Sequence, residues 1–183
     1  QQGDPASTGS LVATGSVNNN VLTFTKGDNS TFTLTVDTGS SSSATAAGTN
    51  NDIQFNNNGS FGGDSKFRFI HTSQSLEQGN GVNASGSYSH AEGEFTKAIG
   101  SGAHAEGQVT RAIGEASHAE GSETKALGKF AHSQGEQTMA IGRASFVAGD
   151  INTASAHYSF VIGNQNKETH GEYGFVAGYG NVS

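Results

Sequence analysis

The sequence predicts an all-β, fibrous, homo-oligomeric chain, and three observations predict it. Glycine recurs every seven residues, at 79, 86, 93, 100, 107, 114, 121, 128, 135, 142 and 149. A fourteen-residue motif rides on that spacing. Upstream, apolar residues alternate with threonine, the two-residue period of a strand. Composition alone points towards disorder. Leu, Ile, Val and Phe are only 33 of 183 residues, which leaves little apolar surface to offset chain entropy. The repeat decides for order. A heptad coiled coil is excluded, because Gly costs about 1 kcal/mol per helical position and no a/d seam is present. Collagen would need Gly at every third position.

The elements follow in order. Residues 1–37 read as an N-terminal β-hairpin module. Leu22, Phe24, Phe32, Leu34 and Val36 alternate with Thr23, Thr25, Thr31, Thr33 and Thr35 around the loop Lys26-Gly27-Asp28-Asn29-Ser30. Residues 38–51, rich in Thr, Gly, Ser, Ala and Asn, read as a flexible linker. Residues 52–78 form a second short β module: Ile53 and Phe55, a turn at Asn57-Asn58-Gly59, then Phe67 and Phe69. Residues 79–183 are the repeat region, read as a β-roll with a C-terminal cap.

Each repeat has two halves. One reads Ser89-His90-Ala91-Glu92-Gly93 and returns at 103–107, 117–121 and 131–135. The other reads Thr96-Lys97-Ala98-Ile99-Gly100 and returns at 110–114, 124–128 and 138–142. Phe146-Val147-Ala148-Gly149, Phe160-Val161-Ile162-Gly163 and, after one extra residue, Phe175-Val176-Ala177-Gly178 continue the first half with apolar replacements. Two strands of about four residues, with Gly at the turns, fit a fourteen-residue coil. Coils stacked at strand spacing lie about 4.8 Å apart. So thin a roll, with mostly Ala, Ser and Ile available for its core, is expected to need oligomerisation, as a trimer.

The Phe-Val-Ala-Gly and Phe-Val-Ile-Gly segments resemble the fourteen-residue head repeats of trimeric adhesins of the YadA type. The Ser-His-Ala-Glu-Gly version is similar to repeats of bacteriophage tail fibres and related virion appendages. The resemblance covers about residues 79–178. It implies a trimeric left-handed parallel β-roll and a location on the virion, or alternatively on the bacterial cell surface. His and Glu stand where the adhesin repeat is apolar, so the adhesins' ligand specificity does not transfer.

Two columns carry the chemistry. His90, His104, His118 and His132 form one; Glu92, Glu106, Glu120 and Gln134 form the other. Positions two apart in a strand share a face, so each His lies beside its acid. A structural His–carboxylate ladder at a subunit contact is the expected role. The four His are the only candidates for a metal, and no cofactor or catalytic residue is expected. The Thr96, Thr110, Thr124 and Thr138 column could be drawn as an ice-binding array, but strand propensity accounts for it. Lys97, Arg111 and Lys125 should face opposite the Thr as a solvated stripe. Tyr158, Tyr173, Phe175 and Tyr179 are candidates for a cap or for contacts at a fibre tip.

A net charge of −7 argues against nucleic acid, whose phosphates need a basic surface. No apolar run is long enough for a membrane span. Zero Cys excludes thiolate metal sites. Ser, His and Glu are so abundant that a triad can be drawn anywhere, and a repeat offers no unique nucleophile. The expected function is therefore non-enzymatic: a trimeric tail-fibre-like spacer with host glycan or protein contact at its C-terminal end. A bacterial trimeric adhesin head is the alternative. A glycan-cleaving tailspike ranks below both, because the Glu form a periodic column and no distinct acidic pair.

Overall fold

A computed structural model of the chain describes residues 12–18, 21–35, 46–168 and 171–182. The chain divides into two compact units, Gln1–Thr45 and Ala46–Ser183. In the first, β1 (Val12–Asn18), β2 (Val21–Lys26) and β3 (Thr31–Thr35) form an antiparallel sheet in that order. The expected hairpin is β2–β3. Leu22 lies opposite Leu34 and Phe24 opposite Phe32, their rings stacked at 5.0 Å. Asn29 takes a positive φ of 66° in the turn, and the Ser30 amide donates to the Asp28 carboxylate. Strand β1 is an addition that the sequence pattern did not announce. Val36 and residues 38–45 of the expected linker lie outside the described residues.

The second unit opens on an antiparallel meander of β4 (Asp52–Asn57), β5 (Ser60–Ile70) and β6 (Ser75–Asn80). Asn58 and Gly59 both have positive φ, 52° and 87°, as a two-residue type I′ hairpin turn requires. Strand β6 then pairs in parallel with His90–Glu94, so the sheet runs unbroken across residue 79, where the repeat region begins.

From there the chain is a parallel β-solenoid of about seven turns. Each coil holds one long and one short strand, not two equal ones. The long strands, five residues each from His90–Glu94 to Phe175–Tyr179, join the meander in a ten-stranded sheet. The short strands, two residues each from Asn83–Ala84 to Lys167–Glu168, form a seven-stranded sheet. Every pairing between coils is parallel and in register: His104 sits between His90 and His118, and Arg111 between Lys97 and Lys125. The seven-residue glycine period therefore hides an asymmetry. The Gly86 and Gly100 series follows the short strands, whereas the Gly93 and Gly107 series lies inside the long strands.

The core is made of small side chains. Ala91, Ala105 and Ala119 from the long strands face Ala98, Ala112 and Ala126 from the short ones, all fully buried. Val147, Val161 and Val176 continue the first series. The Ile side chains expected inside are outside: Ile99, Ile113 and Ile141 are about two-fifths exposed. The Thr column lies inside, with Thr96, Thr110 and Thr124 completely buried, so it offers no surface to ice. Ser89, Ser117, Ser145 and Ser159 are buried at one corner, where each hydroxyl donates to the carbonyl three residues back.

Glutamates close both ends of this core. Glu77 occupies the position that Ala91 takes one coil later; its carboxylate accepts the Ala84 amide and lies 3.4 Å from Arg68 Nη1. Glu168 stands where Ala154 does one coil earlier, is fully buried and accepts the Ala156 amide. Charge-assisted hydrogen bonds to backbone amides give each carboxylate a reason to stay where an alanine column stops.

Each corner also needs a left-handed residue, and the chain does not always supply glycine. Phe95, Val109, Glu123, Gln137, Ile151 and Gln165 occupy one such series, with φ of 50–58°. For a β-branched residue this backbone is strained by about 1–2 kcal/mol. Val109→Asn, which tolerates this region, is expected to stabilise the chain by about 1 kcal/mol in a urea titration. A destabilised variant would mean that the exposed Val109 side chain contributes more by packing than its backbone costs.

Candidate functional site

The outward face of the ten-stranded sheet carries the His and Glu columns. The alternation of a strand places Ala inside and its two neighbours outside. In-register stacking then lines up like with like. The His column begins at Leu76, runs through His90, His104, His118 and His132, and ends in Phe146, Phe160 and Phe175. Its rings form one continuous stack with centroids 4.7–5.5 Å apart. His104 and His118 are parallel within 2°, whereas His118 and His132 are tilted by 59°. The neighbouring column reads Gln78, Glu92, Glu106, Glu120, Gln134, Ala148, Ile162, Ala177.

Within one chain the His and Glu stop short of hydrogen bonding. His Nε2 lies 3.5 Å from Glu92, 3.7 Å from Glu106 and 3.9 Å from Glu120 in the respective coils, beyond a normal N–H···O contact. His132 Nε2 lies 3.9 Å from Glu120 as well. All four Nε2 atoms are shielded from solvent and have no hydrogen-bond partner, although each side chain is about one-third exposed. Among the described residues, His104, Glu106 and His118 form the one group whose metal-ligand atoms converge, all within 4.8 Å of one another.

Burial, and then the adjacent His104 imidazole, push His90 below its ordinary value of 6.5. Burial, His132 and then His104 do the same for His118. The facing Glu92 and Glu106 oppose the shift at His90, and Glu106 opposes it at His118. A histidine with a depressed folded pKa binds protons less readily folded than unfolded. Stability is then greatest above pH 6.5, falls as pH drops towards the lower folded value, and levels off beneath it. Thermal melting at pH 5 is therefore expected below that at pH 8, by roughly 2–4 °C per kcal/mol lost. Equal melting at the two pH values would remove the His column as a source of acid sensitivity.

The outward face of the seven-stranded sheet is basic and aliphatic. Lys97 and Arg111 are exposed, Lys125 is half-buried, and the Ile99, Ile113, Leu127 and Ile141 column runs beside them. These three basic side chains thus face outward, opposite the Thr column as expected, but they share the face with an apolar column.

Near the C-terminus the expected aromatics extend the outer columns. Phe175 stacks on Phe160, and Tyr173 stacks on Tyr158 at 5.4 Å. Tyr179, Tyr173 and Phe175 are more than 70% exposed. Arg143 lies over the Phe130 and Tyr158 rings and donates to the Tyr158 hydroxyl.

One feature had a signal that the columns concealed. The buried Thr column becomes Asn at Asn152 and Asn166, and Asn181 follows fifteen residues on. The Asn152 amide donates to the Ala148 and Gly163 carbonyls while its oxygen accepts the Asn166 amide; Asn166 repeats this with Ile162, Gly178 and Asn181. Counting fourteen residues on from Thr138 would have found the ladder. Comparison with protein-family models and with curated proteins finds no match.

Proposed function

We propose that the chain is a structural subunit of a trimeric, tail-fibre-like virion appendage. Its N-terminal β modules attach to other tail or appendage proteins, and its C-terminal end meets a host surface glycan or protein. It acts as a spacer that presents three identical ends and so raises their effective concentration at the host. The resemblance of the Ser-His-Ala-Glu-Gly coils to phage fibre repeats supports the virion assignment.

One observation carries the trimer: the two outward faces complement each other coil by coil. Glu92, Glu106 and Glu120 stand on one face, and Lys97, Arg111 and Lys125 in the same coils on the other. Both columns lose their charge in the same next coil, at Gln134 and Met139. Both faces also carry exposed apolar side chains, Phe160 and Ile162 on one, Ile99 and Ile113 on the other. Two different complementary faces make a heterologous contact, which gives a ring of three where the rotation between subunits is 120°.

Sedimentation equilibrium is expected to give about three times 18.7 kDa. Replacing Glu92, Glu106 and Glu120 with Lys should dissociate the ring, and exchanging both charge columns in one chain should restore it. A monomer in the unaltered chain would overturn the reading. The Phe-Val-Ile-Gly segments favour a second reading, a bacterial trimeric adhesin head. Gold-labelled antibody on virions and on bacterial cells separates the two.

A further inference from the structure

We propose that His104, Glu106 and His118 form a zinc-binding site on the outer face of the ten-stranded sheet. The site draws all three ligands from two adjacent coils of one chain, so it needs no residue of a second subunit, although Glu106 also stands on the face that the proposed trimer contact uses. It differs from the His–carboxylate ladder expected at a subunit contact, because its ligands come from a single chain. His104 Nε2 lies 3.7 Å from the Glu106 carboxylate, too long for a good hydrogen bond. Two ligands of one zinc at bond lengths of about 2.1 Å lie roughly 3.4 Å apart in a tetrahedral site, so this pair nearly has the required span.

The Nε2 atoms of His104 and His118 are shielded from water and unpartnered. A polar atom in that position costs stability until something occupies its lone pair or its proton. A cation shared by both rings supplies the missing partner. The two imidazoles stack at 4.8 Å and must tilt towards each other to meet on one ion. The next step of the column shows that such a tilt fits the stack, since His118 and His132 already differ by 59°.

The donor set selects the metal. Two imidazoles and one carboxylate suit zinc and leave its fourth position to water, whereas magnesium and calcium favour all-oxygen sites. Among the described residues, no other three ligand atoms of these columns converge as these do. His132 reaches only Glu120, at 3.9 Å, and the carboxylate of its own coil is replaced by Gln134. A second ion one coil away would lie about 4.8 Å from the first, where like charges repel.

Equilibrium dialysis of the full chain against micromolar zinc chloride at neutral pH tests the site. The expected result is about one zinc per chain. Loss of an outer-shell partner alone weakens metal sites by about 10–100-fold, so His104→Gln with His118→Gln should weaken binding by at least about ten-fold. His157→Gln should leave it unchanged. Glu106→Gln, which keeps the shape of the side chain, guards against a double variant that fails to fold. In the unaltered chain, cobalt should give the visible absorption of a tetrahedral site. Zinc that is not retained, or is retained equally by the Glu106→Gln chain and a folded double variant, would overturn the proposal.

Discussion

Gly107→Ala is expected to cost about 4 kcal/mol or more, or to abolish folding of the repeat region altogether. Gly107 sits inside a long strand with φ of 101°, a backbone that L side chains rarely adopt. A Cβ there would lie 2.1 Å from the carbonyl oxygen of Gly121 in the next coil. The Cβ is fixed by its own backbone and the oxygen belongs to the neighbouring one, so no side-chain rotation relieves the clash. Two comparisons separate the causes. Gly100→Ala meets the Gly114 carbonyl at 2.0 Å. Gly102→Ala, at φ of 65° with nothing within 4 Å, carries backbone strain alone and should cost about 1 kcal/mol. Urea unfolding of the three variants reads the order. A Gly107→Ala chain as stable as Gly102→Ala would mean that adjacent coils do not approach so closely.

Asn152→Ala should cost about 3 kcal/mol. Asn152 is fully buried, and its amide group makes three hydrogen bonds to backbone, with Ala148, Gly163 and Asn166. Truncation leaves buried backbone groups without partners, at about 1–3 kcal/mol each, and partial rearrangement offsets some of that. Asn152→Thr should cost less. In the preceding coil Thr138 occupies the same position, where its hydroxyl lies 3.2 Å from the Gln134 carbonyl, the counterpart of Ala148. The midpoint of denaturant unfolding checks both. An alanine variant within 1 kcal/mol of the parent would show that the ladder is incidental to stability.

The coil repeat was legible because its demand is steric. From Gly79 to Gly149 each half-coil brings backbone so close to backbone that a Cβ would clash, and the spacing is printed in the sequence. The hairpins were legible for a similar reason, since Asn58-Gly59 and the Thr alternation leave few other conformations. What lies inside a coil was harder to read. Ala91 is flanked by His90 and Glu92, and Thr96 adjoins Lys97, so alternation gives two faces without saying which is buried. Small residues carry little hydrophobic signal, and the larger Ile99 proved to be the outward one. The unequal strand lengths were concealed because both glycine series keep the same seven-residue interval. In the site, the pairing of each His with its Glu followed from their spacing. The unpartnered Nε2 atoms did not, because a difference between 3.0 and 3.7 Å has no sequence counterpart. Glu77 and Glu168 read as ordinary charged residues until the register placed them in line with alanines.

Near-identical coils stacked in register raise a problem of degeneracy. A strand such as His104–Gln108 meets almost the same partners if the stack slips by one full repeat, so most of the solenoid cannot define its own alignment. The information lies at the two ends. At one, Glu77 and the antiparallel meander terminate the stack in a way that no inner coil can copy. At the other, Phe146 onwards, the Asn ladder and Glu168 make each coil chemically distinct from its neighbour. Ser133, whose hydroxyl pairs with Thr138 in place of an alanine, is a single marker between them. The monotonous middle is thus free to vary in length by whole coils, while the distinctive ends act as bookends that fix the count.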